Sequence, residues 1–153
     1  MKNAEGIVKI AGCWDGSMLP SPAVEYKSRW KFLVRGFELK GIYMSPVTGF
    51  TEEHRTSTDL RDHVIEVEDI MEVITENPKL VPVLVDECSP NRLQTFKHPK
   101  DAIYLFGRTG MSFFGGWKGE SVSIEAPGEL TAYLQPDQAA AIVLYDRMVK
   151  LWQ

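Results

Sequence analysis

Five cations, Lys27, Arg29, Lys31, Arg35 and Lys40, crowd one stretch of this 153-residue chain in which Glu38 is the only acid. Lys27, Lys31 and Arg35 recur every fourth residue, so a helix would carry them as a stripe, with Arg29 on its other flank. Ammonium and guanidinium groups in a row are phosphate-binding chemistry. They are equally the solvated face of an ordinary helix, and the residues alone leave both readings open. The next stretch is acidic: Glu52, Glu53, Asp59, Asp62, Glu66, Glu68, Asp69, Glu72 and Glu76 are opposed by only Arg55 and Arg61. A net charge of −4 argues against non-specific coating of nucleic acid. The asymmetry still lets one surface meet phosphate.

Other familiar chemistries are missing their residues. No Gly-x4-Gly-Lys-Ser/Thr cradle is present, and no Gly-x-Gly-x-x-Gly follows a strand. His54, His63 and His98 lack ligand spacing, so no metal site is expected. Cys13 and Cys88 have no metal-ligand spacing either, and read as free thiols of an intracellular chain. Ser45 and Ser112 stand in no nucleophile elbow. Asp86-Glu87 is a carboxylate pair at the end of an apolar run, either a ligand contact or a solvated strand end. No apolar stretch is long enough to cross a membrane, and Met1 to Gly6 lacks a secretory core; a cytoplasmic protein is expected. What remains is chemistry done by the main chain. Phe106-Gly107-Arg108-Thr109-Gly110, Ser121-Val122-Ser123-Ile124 and the run Tyr133 to Asp146 are a glycine turn, a strand and a small-residue helix. Together they can wall a pocket with backbone amides and carbonyls.

The pattern of the chain positions these pieces in one domain spanning residues 1–153. Strands are expected at 6–13, 40–44 (stopped by Ser45-Pro46), 64–67, 81–85, 102–106 and 121–124. Helices are expected over 23–37, with Ser21 as cap and Pro22 at the first position, over 68–76 with Asn77-Pro78 as stop, and over 136–152. Thr58 or Asp59 is a candidate cap for a short additional helix. Spacing predicts Trp30, Leu33, Val34 and Phe37 inward on the first helix, Ile70, Val73 and Ile74 on the second, and Ile142, Tyr145, Val149 and Trp152 on the last. Val81 to Val85 is nearly all apolar, as a strand buried on both faces requires. Its Pro82 fits only near the strand's start. Leu93 and Phe96 are the anchors expected in the connector that follows. Alternation of strands and helices indicates an α/β fold, a mainly parallel sheet flanked by helices with ligand at the carboxyl ends of the strands.

In order and spacing, Val81 to Trp152 resembles the C-terminal half of the knotted SPOUT methyltransferases, in particular their SpoU/TrmH-type branch. Leu105-Phe106-Gly107 matches the family's strand ending in Phe-Gly. Ser123-Ile124 matches the end of its next strand. Leu134 followed by Ala139-Ala140-Ala141-Ile142-Val143-Leu144-Tyr145-Asp146 matches the loop and Ala-rich helix that close the domain. Phe37 to Tyr43 resembles, in outline, the end of the family's first helix and its next strand.

The resemblance implies a C-terminal deep trefoil knot, a homodimer, and S-adenosyl-L-methionine held bent by three knot loops. It also implies methyl transfer to RNA (tRNA or rRNA), most often to a ribose 2′-hydroxyl, with no metal and no membrane partner. Carried over position by position, cofactor binding falls to Val85, Asp86, Phe106, Gly107, Gly110, Ile124, Ala126, Tyr133 and Leu134. Contacts to substrate RNA fall to Lys27, Lys31 and Gln135. The family's catalytic arginine on the first helix corresponds by offset to Phe32, which leaves Arg29 or Arg35 for that role. Thr109 replaces the family's turn glutamate, Tyr133 its loop serine and Gln135 its asparagine. Two other readings stand beside the enzyme: a knotted protein that binds cofactor or RNA without methyl transfer, and an unrelated α/β module.

Overall fold

In the computed structural model the residues described are 6–15, 32–39, 42–48, 64–67, 69, 71–106, 115–125, 134 and 136–152. Among them six strands form one sheet: β1 (Val8–Asp15), β2 (Ile42–Thr48), β3 (Val64–Glu66), β4 (Val81–Val85), β5 (Ala102–Phe106) and β6 (Glu120–Val122). Their order is β3-β2-β1-β5-β4-β6, and each neighbouring pair runs parallel. The helices described are the turn at 32–36, α1 (Glu72–Glu76) and α2 (Pro136–Leu151). The expected mainly parallel α/β fold is the one observed.

Strand alternation divides the core in two. Tyr104 and Phe106 of β5 join Val8, Ile10, Ile42, Val83 and Val122 on one face, beneath Ala140, Val143 and Leu144 of α2. Ile103 and Leu105 join Ala11, Tyr43 and Leu84 on the other, with Val73 of α1 and Trp117. Every residue of β5 is buried, which is why its sequence is an unbroken apolar run.

The described parts of four connections fit a single hand. The turn 32–36 (between β1 and β2) and the connector carrying Leu93 and Phe96 (between β4 and β5) lie on the α2 face. Both carry the chain toward β3. The β3–β4 and β5–β6 connections place Val73 and Trp117 on the opposite face and carry it toward β6. One face for each direction is what uniformly handed crossovers require.

Both prolines that puzzle the sequence have local explanations. Val81 donates its amide toward the β5 side, to the Asp101 carbonyl, so the next residue, Pro82, turns its nitrogen toward β6. Pairing with β6 begins only at Val83, so no ladder bond is forfeited there. Pro46 does not stop β2, contrary to expectation. The strand runs on to Thr48, and a register shift opposite Cys13 to Asp15 absorbs the extra residue, as a bulge does.

The turn at 32–36 stops at Gly36, a residue short of the expected end. Leu33 and Val34 are buried as expected and Phe37 packs partly against them; Trp30, Ile70 and the short helix expected near Asp59 lie outside the described residues. Glu38 then adopts φ 51°, and Leu39 N–H reaches back to the Val34 carbonyl at 3.2 Å. This is a Schellman ending, with Val34 and Leu39 both in the core. A left-handed non-glycine residue costs roughly 1 kcal/mol. Glu38→Gly is therefore expected to raise stability by up to about 1 kcal/mol, read as a higher urea midpoint with unchanged slope.

The largest correction concerns α2. Ile142, Tyr145, Val149 and Trp152 were expected inward, but they form the exposed face, with Tyr145 60% and Trp152 56% accessible. The inward face is Asp137, Ala140, Val143, Leu144 and Arg147. Small side chains let the backbone settle close to the sheet, and Arg147 spans the remaining gap to donate to the Lys100 carbonyl.

Candidate functional site at the carboxyl edge of the sheet

Three strands end side by side. Val85 is in register with Phe106 of β5 and with Val122 of β6, so the three strand ends are about 4.8 Å apart in turn. The strand order β5-β4-β6 thus places the ends of these three strands at one edge. Phe106 is buried, Val85 and Ile124 are half-buried, and all three contribute to the α2-side core. Leu134, half-buried, lies two residues before α2 begins at Pro136. Ala139 and Ala141 pack on the same core as the fully buried Ala140.

The β4 and β6 exits are tied together. Asp86 N–H donates to the Val122 carbonyl at 3.0 Å, Ser123 N–H to Asn91 at 2.7 Å and Leu93 N–H to Ser123 at 2.9 Å. The hydroxyls of Ser89 and Ser121 meet at 2.8 Å inside this seam. Asp86 is buried, and its Oδ1 accepts the Cys88 amide at 2.8 Å. That is the self-closing turn Asp favours, and it gives this carboxylate a structural task at the mouth of the site. Glu87 beside it is exposed.

Val85, Phe106 and Ile124 bring apolar side chains to this edge, beside strand-end amides and carbonyls. Gly107, Gly110, Ala126, Tyr133 and Gln135, together with Thr109, lie outside the described residues, as do Lys27, Arg29 and Lys31. Arg35 is described and exposed, on the helical turn whose Leu33 and Val34 anchor it to the α2-side core. Phe32, at the offset of the family arginine, is 76% exposed on the same turn. Among the described residues no group of acids, histidines and cysteines could hold a metal, and no helix is long and apolar enough to cross a membrane.

Behind the site is a buried polar chain that sequence spacing gave no means of finding. His98, its side chain fully buried, has Nδ1 2.7 Å from the Tyr104 hydroxyl and Nε2 2.7 Å from Asp146 Oδ2. Lys150 Nζ reaches the same carboxylate oxygen at 2.7 Å and donates to the Leu93 and Phe96 carbonyls. Burial lowers the His98 pKa, more than the neighbouring Asp146 raises it, and burial raises that of Tyr104. A neutral imidazole donating from Nε2 to Asp146 and accepting the Tyr104 proton at Nδ1 satisfies every member. Arg147, hydrogen-bonded to Tyr104, completes the link between connector, β5 and α2.

No protein-family profile matches the chain, and no curated protein matches it in sequence. Solved structures do match the fold. A protein of the 2-OH methylation of C/U34 on tRNA superposes with a TM-score of 0.67 over 97% of this chain and 98% of its own, at 9% identity. The SpoU methyltransferase AviRb from Streptomyces viridochromogenes, in complex with AdoMet, gives 0.66 over 97% of this chain and 59% of its own, at 16% identity. An AdoMet-bound rRNA methyltransferase from Sinorhizobium meliloti gives 0.65 over 96% and 57%, at 12% identity. The chain has the SpoU-type RNA methyltransferase fold, the class its C-terminal half resembles in sequence order.

Proposed function

We propose that this chain is an S-adenosyl-L-methionine-dependent RNA methyltransferase that acts on a ribose 2′-hydroxyl of tRNA or rRNA. The observation that carries the reading is the alignment of Phe106, Val85 and Val122 across β5, β4 and β6, within a fold shared over nearly its whole length with a tRNA-methylating protein. Val85, Phe106, Ile124 and Leu134 would line the cofactor, with Asp86 holding the mouth of the β4 loop and Gly107, Gly110, Ala126 and Tyr133 completing the three loops. The bound cofactor supplies an already activated methyl group. The protein's part is alignment of the ribose oxygen and help in removing its proton. Arg35 or Arg29 fills the second role, and Lys27, Lys31 and Gln135 hold RNA.

In this reading α2 threads the chain segment that winds around β4, closing a deep trefoil knot. Two copies pair through the outward stripe Ile142, Tyr145, Val149 and Trp152. Four large apolar side chains at spacings of three and four on an exposed helix face are what a second helix would cover. The setting is the cytoplasm.

The test is methyl incorporation from labelled S-adenosylmethionine into tRNA and rRNA transcripts. An Arg29→Ala, Arg35→Ala double variant is expected to lose roughly a hundredfold or more in turnover while binding the cofactor normally. Undiminished turnover would remove both arginines from the chemistry. A second reading, cofactor or RNA binding without transfer, is favoured by one observation: exposed Phe32 occupies the offset of the family's arginine. It predicts saturable binding with no incorporation.

A further inference from the structure

A cleft of about 430 Å³ opens between the 3-10 turn Leu93–Thr95 and the edge strand β6, lined by Asn91, Arg92, Thr95, Phe96, Lys97 and Glu120. Its walls are fixed from behind. Lys150 of α2 holds the Leu93 and Phe96 carbonyls, the Phe96 ring stands edge-on to His98 at 5.1 Å, and Asn91 Nδ2 donates to the Ser121 carbonyl at 3.1 Å. The charged groups are left toward solvent: Arg92 and Lys97 are exposed, as are Thr95 and Glu120. Arg92 Nε meets Glu125 Oε2 at 3.1 Å, but both side chains are largely in water. Such a pair contributes little and is readily exchanged for another anion. A phosphate, with oxygens suited to the guanidinium fork, is a better partner than a lone surface carboxylate.

Glu125, whose carbonyl accepts from Gln94 at 3.4 Å, lies beside the cleft through its pairing with Arg92 and directly precedes Ala126, assigned above to the cofactor. The volume falls within the range of small-ligand sites, and the lining is polar, with Arg92 and Lys97 set beside Glu120, which suits a polar, phosphate-bearing strand rather than an apolar ligand.

We propose that this cleft binds the RNA chain beside the nucleotide being modified, with a backbone phosphate between Arg92 and Lys97 and ribose or base donors toward Glu120. The inference rests on the methyltransferase reading and adds a second RNA contact, separate from the basic stretch at 27–35.

The experiment measures binding of unmodified tRNA and rRNA transcripts across a salt series. An Arg92→Ala, Lys97→Ala double variant should bind about tenfold more weakly. Its log–log salt slope should be shallower by roughly 0.7 for each cation removed, with unchanged S-adenosylmethionine affinity and thermal midpoint. Thr95→Lys, which adds a third cation to the cleft and leaves Glu120 in place, should bind more tightly with a steeper slope. Wild-type affinity and slope in the double variant, or no gain in Thr95→Lys, would overturn the proposal. So would a wild-type protein that binds no RNA. Cofactor titration keeps the two inferences apart. Cleft-dependent RNA binding without cofactor uptake would leave the cleft standing and remove the methyltransferase reading. Cofactor uptake and methyl transfer indifferent to the cleft variants would do the reverse.

Discussion

Leu134→Arg is expected to weaken S-adenosylmethionine binding by a hundredfold or more, and to take methyl transfer down with it. Leu134 is half-buried immediately before α2, where the proposed pocket needs an apolar wall opposite Val85 and Phe106. A guanidinium there must give up solvent to stay in place, and it brings a positive charge toward a sulfonium. About 3 kcal/mol from these two penalties corresponds to the predicted hundredfold. Leu134→Ala, which only removes contact area, should weaken binding by roughly tenfold or less. Since Leu134 is not among the fully buried core residues, both variants should fold. Isothermal titration with a thermal-melt control reads the difference. Equal affinity in wild type and Leu134→Arg would place the cofactor elsewhere.

His98→Leu is expected to destabilise the fold by about 3 kcal/mol. Leucine fills much of the volume but removes the acceptor of the Tyr104 hydroxyl and the donor to Asp146. Tyr104 lies in a site without solvent, so its hydroxyl carries a desolvation penalty once that partner is gone. The Asp146–Lys150 pair is partly exposed and adds little by comparison. Tyr104→Phe, removing one hydroxyl, should cost about 1–2 kcal/mol. Denaturant midpoints at constant slope measure both.

The same histidine sets a pH dependence with a definite sign. Its folded pKa lies below 6.5, so the unfolded chain takes up the proton first as pH falls. The stability from neutral His98 is fully present above about pH 6.5 and is lost progressively as pH drops through the folded value. His98→Leu should remove this segment of the stability–pH curve. An unchanged acid limb in the variant would show that other groups cause it.

The parts of this fold that follow from local rules were legible in the sequence. Ala102 to Phe106 read as a strand, Asn77-Pro78 ended α1, and Leu93 and Phe96 anchored the connector; the burial on both faces expected of Val81 to Val85 holds only for Val83 and Leu84 at its centre. The strand ends at Phe106 and near Ser123-Ile124 were legible, and so was the helix start after Leu134. The register that sets β5, β4 and β6 side by side was not, because register between parallel strands is set by long crossovers and not by neighbouring residues. The orientation of α2 was misread for a physical reason. The helix is apolar on two opposite sides, and the larger side chains, Ile142, Tyr145, Val149 and Trp152, dominate any count. Ala140 permits close approach to the sheet, and Asp137 and Arg147 are polar residues that only tertiary partners make tolerable inside. His98 is illegible on the same ground, since Asp146 stands 48 residues away.

Titration of the purified protein with S-adenosylmethionine, and with S-adenosylhomocysteine in parallel, tests most directly whether the β5, β4 and β6 loops form a cofactor pocket. Saturable binding of both, at one molecule per chain and lost in Leu134→Arg, is the predicted result. A folded protein that takes up neither would contradict it.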